Sequence, residues 1–407
     1  NTVSRLQKEK GYPLSIKASA GKNKPEKIIN ITNILKGSGF LGAALQSTDP
    51  EVLKAIKRDN IPTDKIMNLA EFGKEQGNPT YTEIILGLPS DSKEKHFESF
   101  RVGVDMGVNS IRMYQLMQLA GTEMASPQSR KTFEMIIKWR ILPGCAGKYQ
   151  VLGKEYRIAE YEEIVVGNKT LSFDDYLECR LMNLLIETFI NNALFEEIFG
   201  MIQALGLSRF DCLLYILNHP ETYPETIQSY FKSYINDTTN DLFETEEEVK
   251  AYTQREGNIE DYVSGTSGRK ELLYHKALCY LSFEDLNQML CTATIQFLKE
   301  NGKLTEKITD YVKSLEKFSM LCKKSFENTT LEYVESFEYD FKSLAKRNFE
   351  IDPNQIEPCG PFTFHIKHSQ TQISLIQNAL NVYGESTAGL ARLIQRSNLK
   401  KMFRGYE

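Results

Sequence analysis

Two short stretches of the chain decide its fold: ALQSTDPEVLKAIKR at residues 44–58 and TYTEIILGLPSDS at residues 80–92. Each begins with an apolar run of the length typical of a buried strand and then passes through polar and proline residues toward a helical pattern. At the first junction Thr48 and Glu51 have the spacing of a capping box, and Asp49 before Pro50 offers an alternative cap. The pattern therefore predicts a strand followed directly by a helix at both places.

The alternation of strand and helix extends to both sides of these stretches. Further strands are predicted where apolar residues alternate or cluster, at residues 14–20, 40–46, 80–89 and 110–119. Helices are predicted between and after them, beginning near Pro25, Asp49, Pro62 and Lys93. Because the connections are short, this order favours a parallel sheet or barrel with helices outside.

Three polar residues, Lys17, Ser19 and Glu83, interrupt strands that should be apolar on both faces in a parallel sheet covered by helices. They are explained if the apolar alternates face the helices and the polar ones point into a barrel lumen, near the carboxyl mouth where barrel enzymes place their chemistry. A shorter, open sheet with these residues solvated at an edge is the alternative.

The charge balance excludes some classes of partner. The chain has 49 basic and 54 acidic residues and no long block of one sign, which argues against nucleic acid and anionic lipid. No apolar stretch approaches the ~20 residues needed to cross a bilayer, so we expect a cytoplasmic protein. The 407 residues suffice for two or three domains. Since the chain opens at Asn1 in what reads as the middle of a helix, we expect a C-terminal fragment.

The cysteines and histidines give no sign of a metal site. The seven cysteines are dispersed, and the nearest two, Cys279 and Cys291, are twelve positions apart. Such a pattern favours reduced core thiols over a disulfide framework or a zinc site. His365 and His368 are three apart in FTFHIKH, but that segment alternates like a strand. We therefore predict no metal ligands within this chain.

Beyond about residue 130 the alternation of strand and helix stops. Residues 148–173 are predicted to form a small hairpin, with turns at GKEY and GNKT, that continues the end of the barrel. This divides the chain into a barrel part at residues 1–130, a hairpin connector at residues 131–172 and a mostly helical domain at residues 173–407. Helices are predicted over residues 173–204, 207–217, 224–234, 245–256, 270–301 and 304–329.

Three later segments complete the helical domain. Residues 331–344 fit a strand or an amphipathic helix equally well, whereas FTFHIKH is typical of a strand. Residues 372–403 should be mostly helical with a break at Gly384. The apolar stripes of this region are predicted to be core, and the domain would shape a substrate cavity.

The two deciding stretches resemble the fourth and fifth strand–helix junctions of the radical S-adenosylmethionine (SAM) partial barrel. SIKASAGKN before them and SIRMYQLMQLAGTEM after them are similar to the subgroup with an N-terminal cobalamin-binding domain. The resemblance continues through LSFDDYLECRLMNLLIETF and LGLSRFD. It implies an α/β fold: a partial (βα) TIM-like barrel, of which this chain has the third to the sixth strands, followed by a mostly α-helical C-terminal domain.

The resemblance also implies which residues bind SAM. Gln46 and Ser47 match the end of the fourth strand, which contacts the ribose or carboxylate, although Ser47 fits a helix-capping role equally well. Ile85 and Gly87 match the contact of the fifth strand with adenine. The implied SAM-binding set is Ser19, Gln46, Ser47, Glu83, Ile85, Gly87, Tyr114 and Gln115, the last two where the sixth strand approaches adenine, with Lys17 assigned to the carboxylate of SAM or substrate.

Three cofactors follow from the resemblance: SAM, a 4Fe-4S cluster and cobalamin. The cluster requires a CxxxCxxC motif that this sequence does not contain, so we expect this chain alone to hold no cluster and to be inactive. The implied chemistry is cleavage of SAM to a 5′-deoxyadenosyl radical, or methyl transfer through methylcobalamin, on an unknown small-molecule substrate. A reductant such as flavodoxin or ferredoxin is the implied protein partner. No catalytic residue is implied.

Two other functions compete with this interpretation. The chain could be a helical interaction protein with a relic barrel that binds nothing, or an ordinary parallel-barrel enzyme that uses Glu83 and Lys17 as acid and base. A CxxxCxxC motif upstream of Asn1 in the gene would favour the radical SAM interpretation, and a start codon directly before Asn1 would favour the others.

Overall fold

In a computed structural model of the chain, residues 2–13, 30–31, 34–35, 41–58, 80–264, 267–357 and 359–407 are described. They form two compact units. The first comprises Asn1–Arg180 and Leu242–Val263, and the second comprises Leu181–Asp241 and Ser264–Glu407.

A parallel sheet forms the centre of the first unit. Its strands are β1 (Leu41–Gln46), β2 (Thr80–Leu86) and β3 (Ser110–Gln115), in the order β1-β2-β3. Both neighbouring pairs are parallel, which confirms the predicted arrangement of these three segments. The predicted strand at residues 14–20, with Lys17 and Ser19, lies outside the described residues. The described part is thus a mixed α/β fold with a three-stranded parallel sheet, a coarser architecture than the predicted partial barrel.

Helices precede and follow these strands. They are α1 (Thr2–Lys10), α2 (Pro50–Ala55) after β1, α3 (Lys93–Asp105) after β2 and α4 (Pro127–Thr132) after β3. Of the two predicted caps of α2, Asp49 is used, because its Oδ1 accepts from the amides of Glu51 and Val52 at 3.0 and 2.9 Å. Helix α3 begins after Ser92, whose hydroxyl accepts from the amide of Lys95. The strand-to-helix junctions therefore lie where the sequence places them.

The two faces of the sheet differ in burial. Along β2 the residues Thr80, Thr82, Ile84 and Leu86 are buried, and the intervening residues are partly exposed. The buried face packs on α3. The contact is close at Gly103 of α3, where an added Cβ would lie 3.0 Å from Cδ1 of Ile111 on β3. The opposite face carries Tyr81, Glu83 and Ile85 of β2 with Arg112 and Tyr114 of β3, and it is called the open face below.

A long antiparallel hairpin follows the sheet. Strands β4 (Ile136–Val151) and β5 (Lys154–Gly167) turn at Leu152 and Gly153. The predicted hairpin was placed too late in the chain, since β4 begins well before residue 148. The pairing is irregular between Ile141 and Ala146, where Pro143 has no N–H to donate, and this hides the strand pattern in the sequence.

The hairpin extends the parallel sheet beyond β3. The amide of Gln118 donates to the carbonyl of Glu163 at 2.9 Å, and the amide of Val165 donates to the carbonyl of Leu116 at 2.9 Å. Met117 and Ile164 form an antiparallel bridge between these bonds. The hairpin thus continues the described parallel sheet, which is the coarser part of the prediction that it continues a barrel. Helices α9 (Glu246–Gln254) and α10 (Asn258–Ser264) also pack on the hairpin, through a cluster of Ile141, Val249 and Tyr262.

The second unit is mostly helical, as predicted. Its helices are α5 (Phe173–Leu185), which begins in the first unit, α6 (Glu196–Ala204), α7 (Arg209–Asn218), α8 (Glu225–Asn240), α11 (Glu271–Leu281), α12 (Phe283–Glu300), α13 (Glu306–Lys323), α14 (Phe341–Ala345), α15 (Gln370–Tyr383) and α16 (Thr387–Arg396). Among the described helices no single one has the length and apolarity of a membrane span; α6 and α7 reach them only as a pair bent by 113°.

Two predicted helices are interrupted, and the one expected over residues 270–301 divides at Ser282 into α11 and α12. Residues 173–204 were expected to form one continuous helix, but a π-helical turn at Ile186–Ile190 and a 3-10 turn at Asn191–Ala193 separate α5 from α6. Asn192 and Ala193 have φ values of 63° and 53°, in the left-handed region that ends a regular helix. Apolar spacing does not reveal such an interruption, since residues on both sides of it are buried.

A small antiparallel sheet lies near the chain end, with β6 (Tyr333–Phe337), β7 (Phe362–Lys367) and β8 (Gly405–Tyr406). Residues 331–344 fitted a strand or a helix equally well, and the structure has both, because strand β6 is followed by helix α14. Strand β7 and the helix break at Gly384 are confirmed. His365 contacts Glu332 at 3.2 Å, whereas His368 contacts the carbonyl of Met402 at 3.0 Å, so the two imidazoles have separate partners.

Candidate functional site

The carboxyl end of β1 presents a polar side chain with an unmet hydrogen bond. Gln46 is the last residue of β1 and has a φ of 63°, and the strand register shifts between Ala44 and Gln46. Its side-chain oxygen Oε1 is buried and has no hydrogen-bond partner among the described residues. A buried acceptor without a donor costs stability, so this position favours a ligand that supplies an N–H or O–H.

The hydroxyl of Ser47, the next residue, is hydrogen-bonded within its own turn. It is 1% exposed, and its hydroxyl oxygen accepts from the amide of Asp49 at 3.2 Å. This contact belongs to the turn that leads into α2, whereas the capping role considered for Ser47 is filled by Asp49. The predicted contact of Ser47 with SAM stays a prediction.

Glu83 lies in the middle of β2 on the open face. Its register neighbours are Ala44 on β1 and Arg112 on β3. The guanidinium of Arg112 lies 5.4 Å from the centre of the Tyr81 ring. Within the described part of the chain, Glu83 forms neither an ion pair nor a hydrogen bond. The open face therefore carries a carboxylate that is available to a ligand.

The turn after β2 is tightly packed. Gly87 has a φ of 90°, and a Cβ built on it would lie 2.8 Å from the carbonyl oxygen of Val165. Only glycine satisfies both conditions without strain. The following loop is fixed from the hairpin side, because Asn168 Nδ2 donates to the carbonyl of Leu88 at 2.9 Å. The predicted contact surface of Ile85 and Gly87 is thus held rigidly.

A buried pair closes the same loop. His96 Nδ1 lies 3.3 Å from Asp91 Oδ2, and both side chains are almost fully buried. The hydroxyl of Thr170 donates to the carbonyl of Asp91 at 2.7 Å. Through its contact with His96, Asp91 ties the loop to α3.

Tyr114 and Gln115 lie on opposite faces of β3, so the sheet does not bring them together. Tyr114 is 48% exposed on the open face, next to Ile85 in the register. Gln115 is buried on the other face, where its side-chain oxygen accepts from Arg140. Arg140 also pairs with Glu162 at 2.6 Å. Gln115 thus joins a network with the hairpin, and its predicted contact with adenine stays a prediction.

Sequence reasoning missed Gln118, which lies just after β3. Gln118 is 8% exposed, and its Oε1 is buried with no hydrogen-bond partner in the described residues. The signal in the sequence was a second glutamine three positions after Gln115, within QLMQL. Among the described residues, Gln46 at the end of β1 and Gln118 just after β3 therefore each carry an unpartnered side-chain oxygen.

The described residues contain no group of three or more His, Cys, Asp or Glu side chains arranged to hold a metal ion. Five of the seven cysteines are buried. Burial raises the pKa of Cys212 and of Cys279 to about 12, so these thiols are protonated at neutral pH and are poor metal ligands.

Comparison with known proteins gives two partial relatives, and no family model matches the chain. The chain is 28% identical over 136 residues to the cobalamin-dependent radical SAM methyltransferase TokK of Streptomyces tokunonensis, covering 31% of this chain and 19% of that protein. It is 27% identical over 177 residues to the 2-(S-pantetheinyl)-carbapenam-3-carboxylate methyltransferase of Streptantibioticus cattleyicolor, covering 42% and 25%. The chain spans about a fifth to a quarter of the length of these curated relatives.

Both relatives are methyltransferases, and one is named as a radical SAM enzyme. At this identity and coverage the similarity supports a distant relationship to the radical SAM superfamily. It also supports an enzyme of the general radical SAM or methyltransferase kind.

Proposed function

We propose that this chain contributes the SAM-binding surface of a cytoplasmic, cobalamin-dependent radical SAM methyltransferase. SAM would lie across the carboxyl end of the parallel sheet and contact the open face. Ile85, Gly87 and Tyr114 would line its adenine, and Gln46 and Glu83 would bind its polar and charged groups. The methyl acceptor is an unassigned small molecule, and a flavodoxin or ferredoxin would supply electrons.

The observation that supports this proposal is a pair of unmet acceptors on neighbouring strands. Glu83 is the register partner of Ala44, and after the register shift Gln46 pairs with Ile84, the residue that follows Glu83. From strand geometry the Cα atoms of Gln46 and Glu83 are roughly 6–8 Å apart, within reach of one ligand. SAM carries a sulfonium, an ammonium and ribose hydroxyls, which are cationic or hydrogen-bond donating. An unpaired carboxylate beside an unpaired amide oxygen is complementary to such a ligand.

The described residues of this chain fit SAM better than they fit a 4Fe-4S cluster. No three closely placed thiolates occur among the described residues, so the ligands of a 4Fe-4S cluster are not found here. When bound, the cluster and cobalamin would supply electron transfer and methyl carriage. The part of this chain would be to position SAM and to exclude water around it.

The first test is a binding measurement on the full-length protein, purified without oxygen and supplied with iron, sulfide and hydroxocobalamin. Glu83→Gln should weaken SAM binding by about 1.5–3 kcal/mol, because a bond to a charged group is lost. Gln46→Met, which removes the amide but keeps the length, should weaken it by about 0.5–1.5 kcal/mol. Neither change should lower the melting temperature of the apo-protein, since neither group has a partner among the described residues.

A matched control is Glu160→Gln, an exposed carboxylate on β5 away from the open face. It should leave SAM affinity unchanged. Production of 5′-deoxyadenosine or S-adenosylhomocysteine by the wild type then distinguishes radical cleavage from methyl transfer. Unchanged affinity with a lower melting temperature in Glu83→Gln and Gln46→Met would place these side chains in a structural network, and no SAM binding at all would leave the relic-barrel interpretation.

A further inference from the structure

Gln118 is a buried amide whose two ends have different surroundings. Its backbone amide donates to the carbonyl of Glu163, so the hairpin fixes the position of the residue. Its side-chain Nε2 donates to the sulfur of Met135 at 3.4 Å, while Oε1 is buried without a partner among the described residues. The unmet group at this position is therefore an acceptor.

The orientation of this amide follows from its contact with methionine. A thioether sulfur is a weak acceptor and has no proton to donate. If the amide were rotated by 180°, the oxygen and sulfur lone pairs would face each other, and the N–H groups would lose their contact. The orientation with Nε2 at Met135 and Oε1 pointing away from it is therefore the favoured one.

The strand pattern places Gln118 on the side of the open face. Tyr114 belongs to the open face, and side chains alternate along an extended chain, so Leu116 and Gln118 continue that side. The extended pairing is maintained past β3, because the amide of Leu116 donates to the carbonyl of Leu86 at 2.9 Å. Gln118 thus lies beyond Tyr114, near the turn that contains Gly87.

We propose that Gln118 determines nucleobase specificity, by accepting a hydrogen bond from the exocyclic amino group of the adenine of the bound ligand. This rests on the proposed function, and it adds a residue that reads the base. The donor should be neutral, because the nearby carboxylate of Glu163 is already paired with both Nη atoms of Arg130. The ammonium of SAM is better matched by the carboxylate of Glu83, which has no partner in the described part of the chain, and this leaves the amino group of adenine for Gln118.

The orientation of the Gln118 amide determines that 6-amino purines are favoured over 6-oxo purines. A 6-amino purine offers an N–H to Oε1, whereas a 6-oxo purine offers a second oxygen. Two acceptors facing each other in a buried site leave both unsatisfied, and the amide cannot rotate without losing its contact with Met135. The site should therefore reject hypoxanthine in the place of adenine.

The test compares S-adenosylhomocysteine with S-inosylhomocysteine by isothermal titration of the full-length protein. The wild type should prefer the adenine compound at least about tenfold. Gln118→Met, of similar length and without an acceptor, should reduce this preference to about twofold or less, chiefly through weaker binding of the adenine compound. Its melting temperature should be unchanged or higher. Gln128→Met, at an exposed amide on α4, is the matched control and should keep the full preference.

A second variant covers the case in which Gln118→Met does not fold. Gln118→Asn keeps the amide but withdraws the oxygen by one methylene, and it should also lose the preference for adenine. If the wild type binds neither compound, the proposed function fails. If the wild type binds both and the preference is absent, or persists in Gln118→Met or Gln118→Asn, the role of Gln118 is overturned while the SAM site remains.

Discussion

A methyl group added at Gly87 should destabilise the first unit for two separate reasons. The backbone of Gly87 has a φ of 90°, a conformation that residues with a Cβ rarely adopt. The added carbon would also lie 2.8 Å from the carbonyl oxygen of Val165. That oxygen belongs to the backbone of β5, whose amide at Val165 is bonded to Leu116, so it cannot move aside cheaply.

The two costs can be separated with a second glycine in the same unit. Gly153 has a φ of 76°, but a Cβ added there meets nothing within 4 Å. Gly153→Ala should therefore carry only the conformational cost, roughly 1–2 kcal/mol. Gly87→Ala should carry that cost and a further 1–3 kcal/mol, roughly, for the steric overlap. The additional loss corresponds to a melting temperature lower by about 2–12 °C in a unit of this size.

Scanning calorimetry of the wild type, Gly153→Ala and Gly87→Ala measures this difference directly. Urea unfolding gives the same comparison as a free energy. Equal shifts for the two alanine variants would refute the reasoning, because they would show that the turn after β2 moves freely away from the hairpin.

Two further predictions concern the second unit. Lys323→Met should lower the free energy of unfolding in urea by about 3–5 kcal/mol, because Lys323 and Glu197 form a buried ion pair. Lys324→Met, which removes an exposed ion pair, should lower it by less than about 1 kcal/mol. Equal losses would argue against burial as the cause. Burial lowers the pKa of His275 below 6.5, although Asp237 at 3.4 Å opposes the shift. As the pH falls, the unfolded chain therefore binds this proton before the folded chain does. The free energy of unfolding should be highest above about pH 6.5 and decrease below it. In urea unfolding from pH 7 to 5, His275→Gln should show a smaller decrease of the midpoint than the wild type.

Much of the sheet could be predicted because its signal is local. In TYTEIIL the alternation predicted that Glu83 faces away from the helices, and in β2 its neighbours Thr82 and Ile84 are the buried residues. The turn after β2 was also marked locally, by a glycine and a proline. Strand alternation and turn residues can be recognised within one segment, without knowing what the rest of the chain does.

The partners of the site residues could not be predicted because they lie far away in sequence. Gln115 is held by Arg140, and the turn at Gly87 packs on Val165, both contributed by the hairpin. The hairpin was predicted only from residue 148, so its contact with Gln115 was not foreseen, and the resemblance assigned both Tyr114 and Gln115 to adenine. Gln118 was overlooked for the same reason, since its burial depends on residues of the hairpin.

The antiparallel bridge of Met117 and Ile164 also limits how far the sheet can grow. Residues 163–165 occupy the hydrogen-bonding edge that a further parallel strand would need beside the carboxyl end of β3. Strand β5 of the hairpin therefore ends the succession of strand and helix units. An uncovered strand edge is a template for pairing with another molecule, so the same bridge protects the protein from edge-to-edge association.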